Sequence, residues 1–291
     1  MKKPNFFILG APKCGTTSLV SWLSQHPSVF MSPEKEPHHF NTDMTHRQHP
    51  RRDSYARLFA GANHRHIAVG EASVWYLYSQ DAVTNIQAYA DNPRYIVCLR
   101  NPAEMAYALH EQQVFSGNED CQDFEAAWRL ADRRRAGDDI PKHAADAATL
   151  IYPDACALGR QLQRLLGTVK AERVHIVWLD MLSAQPRTEF ERVQAFLRLK
   201  PDAEIRLQAM NLSKRRRSAV LVTTMQMLGR VKSQLGMTKS LGMLRWLDAV
   251  NRKPNTREPL DEAFAKELAA HFQDEVQILE DLTNRDLSEW K

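Results

Sequence analysis

The residues of this chain best suited to holding an anion lie between Gly10 and Ser18, in the run Gly-Ala-Pro-Lys-Cys-Gly-Thr-Thr-Ser. Phe6, Phe7, Ile8 and Leu9 precede it as a short continuous apolar strand of the kind buried in parallel sheets. Gly10 allows a sharp exit from that strand, and from Gly15 onward the chain can enter a helix. Thr16, Thr17 and Ser18 then place backbone N–H groups and hydroxyls at the positive end of the helix. Orphan donors and the helix dipole together bind an anion there. The spacing resembles the G-x-x-x-x-G-K-[ST] loop that holds nucleoside triphosphates, but Thr16 stands where that motif requires lysine. The lysine sits inside the loop instead, at Lys13. A kinase or ATPase would lose its main charge contact with the β- and γ-phosphates. What remains suits a ligand with a single 5′-phosphate-linked group and no obligatory metal.

Two further clusters carry chemistry. Residues 94–99 read as a strand ending in Arg100-Asn101-Pro102, with a helical stretch after it. Proline is well placed at a helix start, and Arg100 then sits at the carboxyl end of a strand, where open α/β sheets bind ligands. Between the two motifs lies Glu34-Lys35-Glu36-Pro37-His38-His39-Phe40. A carboxylate or an imidazole there could accept a proton from an attacking hydroxyl. The bland alternative is a solvated charged turn with packing histidines.

The segment Pro12-Lys13-Cys14-Gly15-Thr16-Thr17-Ser18 resembles the 5′-phosphosulfate loop of sulfotransferases that use 3′-phosphoadenosine 5′-phosphosulfate (PAPS), in particular the bacterial and heparan-sulfate-type enzymes. The resemblance implies PAPS as donor, 3′-phosphoadenosine 5′-phosphate (PAP) as product, and no metal. It assigns residues 12–18 to the cofactor cradle, with Lys13 stabilising the departing phosphate. Arg100 falls on the family's 3′-phosphate site, where a permanently charged, forked donor is apt. The family's serine eight residues after that arginine is Ala108 here, and its second arginine is Met105, so one hydroxyl contact is missing. Glu36 matches the glutamate base of a K-E-x-H-F-F segment, and His38 is the rival base. Gly70-Glu71-Ala72-Ser73 resembles a G-E-x-[ST] segment in which relatives often carry a catalytic lysine at the Ala72 position. Its absence shifts weight onto Lys13 and Lys35; Glu71 either lines the acceptor site or caps a loop. The run Asn211 to Ser218 resembles a late basic loop that folds over the nucleotide, which makes Lys214 and Arg217 cofactor candidates. Residues 285–290, Arg-Asp-Leu-Ser-Glu-Trp, resemble the ending of many bacterial members.

The elements that must position these residues alternate. Strands are expected at 5–9, 66–69, 94–99 and 173–179, and helices at 15–25, 79–90, 102–115, 121–135, 153–167, 185–197 and 260–281. Such alternation predicts an α/β fold, a P-loop-type parallel sheet flanked by helices. The 291 residues read as one domain, with an α/β core over 1–218 and a helical C-terminal subdomain over 219–291. Residues 219–253 read as basic amphipathic helices that cover the site, or that touch an anionic membrane surface peripherally. Tyr152 opens a helix and either faces the acceptor or packs. Cys14 at a helix start is a filler, or a thiol of depressed pKa. The four cysteines have no metal-type spacing, the apolar run at 6–9 is far too short for a secretion signal, and a reducing cytoplasm is the expected setting. A formal net charge of only +4 and the lack of any nucleic-acid motif argue against a nucleic-acid partner. The acceptor expected from the resemblance is a hydroxyl on a glycan, glycolipid or other small molecule. The alternatives are a kinase-like phosphotransferase and a non-catalytic protein that binds PAP or polyanions. Oligomeric state is not legible.

Overall fold

A computed structural model of the chain describes residues 2–208, 214–216, 252–254 and 259–291. The first half alternates strands and helices: β1 (Phe6–Gly10), α1 (Thr16–Leu23), β2 (Val29–Met31), α2 (Arg52–Arg57), β3 (Ala68–Ala72), α3 (Ala82–Tyr89), β4 (Arg94–Leu99) and α4 (Pro102–Ser116). Short helices follow, α5 (Phe124–Arg129), α6 (Ala131–Arg135) and α7 (Tyr152–Ala155), and then α8 (Leu158–Thr168) leads into β5 (Val174–Trp178). After α9 (Leu179–Ala184) and α10 (Pro186–Phe196) come β6 (Lys214–Arg216), β7 (Arg252–Pro254), α11 (Glu262–His271) and α12 (Gln273–Thr283).

β1 to β5 form one parallel sheet in the order β2-β3-β1-β4-β5. The apolar run at its head makes β1 the central strand, and Phe6, Phe7, Ile8 and Leu9 are fully buried. The connection leaving β1 moves toward β2, whereas the one leaving β4 moves toward β5. The strand order therefore reverses between β1 and β4, and the carboxyl edge of that pair is where such sheets hold ligands. Lys13 and Arg100 leave the sheet at these two points.

Several boundaries differ from expectation for local reasons. β3 runs over residues 68–72 and so includes Glu71, because it pairs with both β1 and β2. β2 and α2 were not expected: a three-residue strand and a six-residue helix carry too little periodicity to see. The helix expected at 121–135 begins at Phe124, capped by the Asp123 side chain, and divides at Leu130. The terminal helix divides at Phe272. Arg252–Pro254 pairs antiparallel with Lys214–Arg216, so the end of the stretch expected to be helical is extended. The rest of that stretch, with Arg217, lies outside the described residues, and Lys214 is described in its backbone alone.

A buried ion pair holds together the region between α4 and α8, where the sequence has little pattern. Glu119 and Arg134 are both shielded from solvent, and Arg134 Nη1 and Nη2 donate to the carboxylate at 2.7 and 2.8 Å. The Tyr152 hydroxyl donates to the same carboxylate at 2.8 Å and the Cys121 N–H at 3.0 Å. Tyr152 is thus a structural residue away from the cavity, which settles its two readings. Removing one partner strands the other charge in the interior. Glu119→Ala is expected to cost ~3–5 kcal/mol and to lower the unfolding midpoint by roughly 6–20 °C in a thermal melt. The exposed Arg129–Glu267 pair provides the control, since Glu267→Ala should leave the midpoint nearly unchanged.

Candidate active site

The carboxyl ends of all five parallel strands open into one cavity of about 960 Å³. That volume is at the upper end for small-molecule sites. Pro12 to Ser18 (without Cys14) line it after β1, Lys35 and Glu36 after β2, Val74 and Trp75 after β3, Arg100 after β4, and Leu179 and Leu182 after β5. One face of α4 closes the side through Ala108, Leu109, Gln112, Gln113 and Ser116, a helical spacing.

The half of the cavity under β1 gathers groups that suit an anion. Gly15 takes a left-handed conformation (φ 86°) just before α1, and as the N-cap it offers no side chain to that helix. Its leading N–H groups are therefore available to a ligand. Lys13, itself at φ 63°, donates from Nζ to Gln112 Oε1 at 3.2 Å. Arg100 braces the same loop: Nη1 donates to the Lys13 carbonyl at 3.2 Å and Nη2 pairs with Glu104. Among the described residues, no group partners the buried Arg100 Nε, and a phosphate oxygen is the kind of group that would satisfy it. A nucleotide phosphate therefore fits the residues present. Ala108 lies on the cavity wall, so the missing hydroxyl is a real gap, and Gln112 stands one turn further along the same face.

Cys14 departs from one of its two readings. Its thiol is fully buried, contacts the Pro12 carbonyl at 3.3 Å and Met105 Sδ at 3.9 Å, and burial pushes its pKa up to about 12. It fills space behind the loop and is not an activated thiol. Any contact of Cys14 with a ligand would come from its backbone.

Across the cavity, Glu36 and His38 both adopt positive φ, 63° and 47°. With Lys13 they make three of the seven non-glycine residues in that region among the described residues. Strain of this sort persists only where the surroundings enforce it, and it gathers at functional sites. The Glu36 N–H donates to the Ala72 carbonyl at 2.8 Å, which pins the loop to the end of β3. Burial raises the pKa of the Glu36 carboxyl, but the His38 ring, with Nε2 at 3.5 Å, and the adjoining Lys35 ammonium outweigh it and bring the pKa to about 2. Glu36 is therefore ionised at neutral pH and faces the cavity. His38 is fully buried behind it, edge-on to the His46 ring, and has no place on the cavity wall. Ala72 is buried as well, which leaves Lys13, Lys35 and Arg100 as the described cations of the site.

Glu71 does not line the cavity. It is fully buried, and three hydroxyls donate to it: Ser73 at 2.8 Å, Tyr76 at 2.9 Å and Tyr55 at 3.1 Å. The cavity also recruits Trp75, His46, Asn118 and Asp146, which sequence reasoning did not single out. Gln112 could have been found from its place one turn after Ala108, but His46 and Asp146 belong to irregular segments with no readable pattern. The Asp146 carboxylate accepts from the N–H groups of Thr45 and Ala148, at 2.7 and 3.0 Å, and so ties these two segments together. Among the described residues, no group of three or more His, Cys, Asp or Glu side chains is placed to hold a metal ion.

Comparison with known proteins gives a consistent answer. The family model described as "Sulfotransferase family" matches residues 4–203. Human carbohydrate sulfotransferase 15 is 30% identical over 164 residues, covering 42% of this chain and 29% of that protein. The chain thus spans under a third of the length of this curated relative. The crystal structure of a sulfotransferase from Alicyclobacillus acidocaldarius superposes with a TM-score of 0.73 at 25% identity, covering 100% of this chain and 99% of that one. A mouse sulfotransferase complexed with PAP shares the fold, with a TM-score of 0.52 at 9% identity over 95% of this chain and 85% of that one. With a family model spanning most of its parallel-sheet core, this chain belongs to the sulfotransferase family.

Proposed function

We propose that the protein moves a sulfuryl group from PAPS to an acceptor hydroxyl, with Glu36 as the base. The observation that carries this reading is the opposition of Glu36 to the Lys13 loop across one cavity. The loop after β1 and Arg100 would hold the nucleotide through its phosphates. PAPS supplies the sulfuryl group. The acceptor oxygen forms the new bond to sulfur as the bond to the 5′-phosphate oxygen breaks. Lys13 offsets the charge that grows on that phosphate, and Glu36 takes the proton of the attacking hydroxyl. His38 and Lys35 keep Glu36 ionised and fixed in direction. Lys214, whose backbone lies in a strand packed beside α4, is a further candidate for the nucleotide, and Arg217 remains one from the sequence.

A glycan or glycolipid acceptor is supported by the carbohydrate sulfotransferases among the relatives and by the lining of the cavity. Trp75 offers an aromatic face, and Gln113, Asn118 and Asp146 offer hydrogen-bonding groups. Aromatic faces with convergent amides suit sugar rings. The buried, free state of Cys14, Cys98 and Cys156 fits a reducing setting such as the cytoplasm.

The test is transfer of labelled sulfate from PAPS to a panel of desulfated polysaccharides, glycolipids and simple phenols. The native protein is expected to label at least one carbohydrate. Glu36→Gln is expected to lower kcat by about 100-fold or more while leaving PAP affinity nearly intact. Wild-type turnover in that variant would remove Glu36 from the mechanism.

A further inference from the structure

We infer that Glu71 is a positioning residue, whose buried carboxylate orients the hydroxyls that hold the loop presenting Glu36. This rests on the proposed sulfuryl transfer only where catalysis is read out.

Residues 36–40 lie outside any helix or strand, and their backbone is bent into the left-handed region at Glu36 and His38. Buried N–H groups in such a segment require acceptors. The Ser73 hydroxyl accepts from the His38 N–H at 3.1 Å. The Tyr76 hydroxyl accepts from the N–H groups of His39 and Phe40, at 2.9 and 3.3 Å. A hydroxyl has one proton, and in both cases it is directed at Glu71. The carboxylate is an acceptor only, so it draws both protons inward and leaves the oxygen lone pairs facing the loop. Tyr55 adds a third donor from α2, and its ring stacks on His39 at 4.3 Å. Glu71 therefore acts on residues 38–40 through two intermediaries and does not line the cavity. A network in which each member fixes the direction of the next is more costly to break than its separate bonds.

The protonation of Glu71 should matter for the same reason. The groups facing it are Tyr55 on α2, with Tyr89 of α3 behind, Ser73 and Tyr76 in the turn after β3, and Glu36 with His38 on the loop. Burial raises the Glu71 pKa to about 7, partly against its three hydrogen bonds and with repulsion from Glu36 adding to it. As pH falls through that value, the carboxyl gains a donor proton where three donors already converge. The loop should then loosen, and activity should fall on the acid side near pH 7. Glu36, with its depressed pKa, would still be ionised there.

Two variants test this, Glu71→Gln and Tyr76→Phe, each close in shape to the native side chain. Amide hydrogen exchange of the intact protein is expected to quicken about tenfold or more at His39 and Phe40 in both variants. His38 should follow in Glu71→Gln, while the amides of α1 remain at native rates. Both variants should bind PAP normally and lose about 100-fold in kcat, as expected for a base displaced by about an ångström. The acid limb near pH 7 should vanish in Glu71→Gln. Native exchange rates at residues 38–40 in both variants, or native kcat with an unchanged acid limb in Glu71→Gln, would overturn the inference. Faster exchange in the variants of a protein whose native form transfers no sulfate would leave the loop-holding role standing and reject the proposed reaction.

Discussion

The site depends on one close approach. Gly10, at the end of the central strand, lies so near the turn after β3 that a Cβ on it would come within 2.3 Å of the Val74 carbonyl oxygen. No other residue type fits there without moving backbone, and Gly10 also has a φ of 132°, where side chains are strained. The same turn is tied to β1 by its own N–H groups, Ser73 to the Ile8 carbonyl at 3.1 Å and Leu77 to the Leu9 carbonyl at 2.9 Å. The loop after β1 and the turn after β3 are therefore one joined unit. Because Ser73 and Tyr76 also hold residues 38–40, the turn connects the two sides of the cavity. The distance between Lys13 and Glu36 is thus set by the sheet, and neither loop can move far by itself.

The electrostatics follow from that geometry. Cations gather where a nucleotide phosphate would lie, with Lys13 and Arg100 on adjacent strand ends and the amino end of α1 between them. The facing side carries an ionised carboxylate whose charge is stabilised locally by Lys35 and His38. A second carboxylate, Glu71, is kept behind the wall and wrapped in hydroxyls, so its charge does not compete for ligand. Two acids of the same segment of the fold therefore have distinct environments and pKa values displaced in opposite directions. Environments of this kind are how one fold gives two carboxylates distinct protonation behaviour.

Much of the fold was legible because its strands are continuous apolar runs and its helices begin with strong signals. β4 was read residue for residue, and α4 begins at Pro102 as expected, with the Asn101 side chain as its cap. The shape of the turn after β1 was legible for a similar reason: glycine and hydroxyl spacing constrains the backbone directly. What was not legible depends on long-range contacts. Whether Glu71 faced a ligand or the interior could not follow from a strand flanked on both sides, since both faces of β3 are buried. The burial of Cys14 follows from Met105, a contact 91 residues away in sequence. His46 and Asp146 reach the cavity through a loop-to-loop contact that no periodicity announces.

The proposed reaction requires the loop after β1 to hold PAPS rather than a nucleoside triphosphate. Thermal unfolding in the presence of PAP, of ATP with magnesium, and of neither tests it without any knowledge of the acceptor. PAP at about a hundred times its dissociation constant adds roughly 2.7 kcal/mol, which should raise the midpoint by roughly 5–10 °C, and Lys13→Ala should diminish that rise. A comparable rise with ATP and magnesium, and none with PAP, would show instead that the loop holds a nucleoside triphosphate.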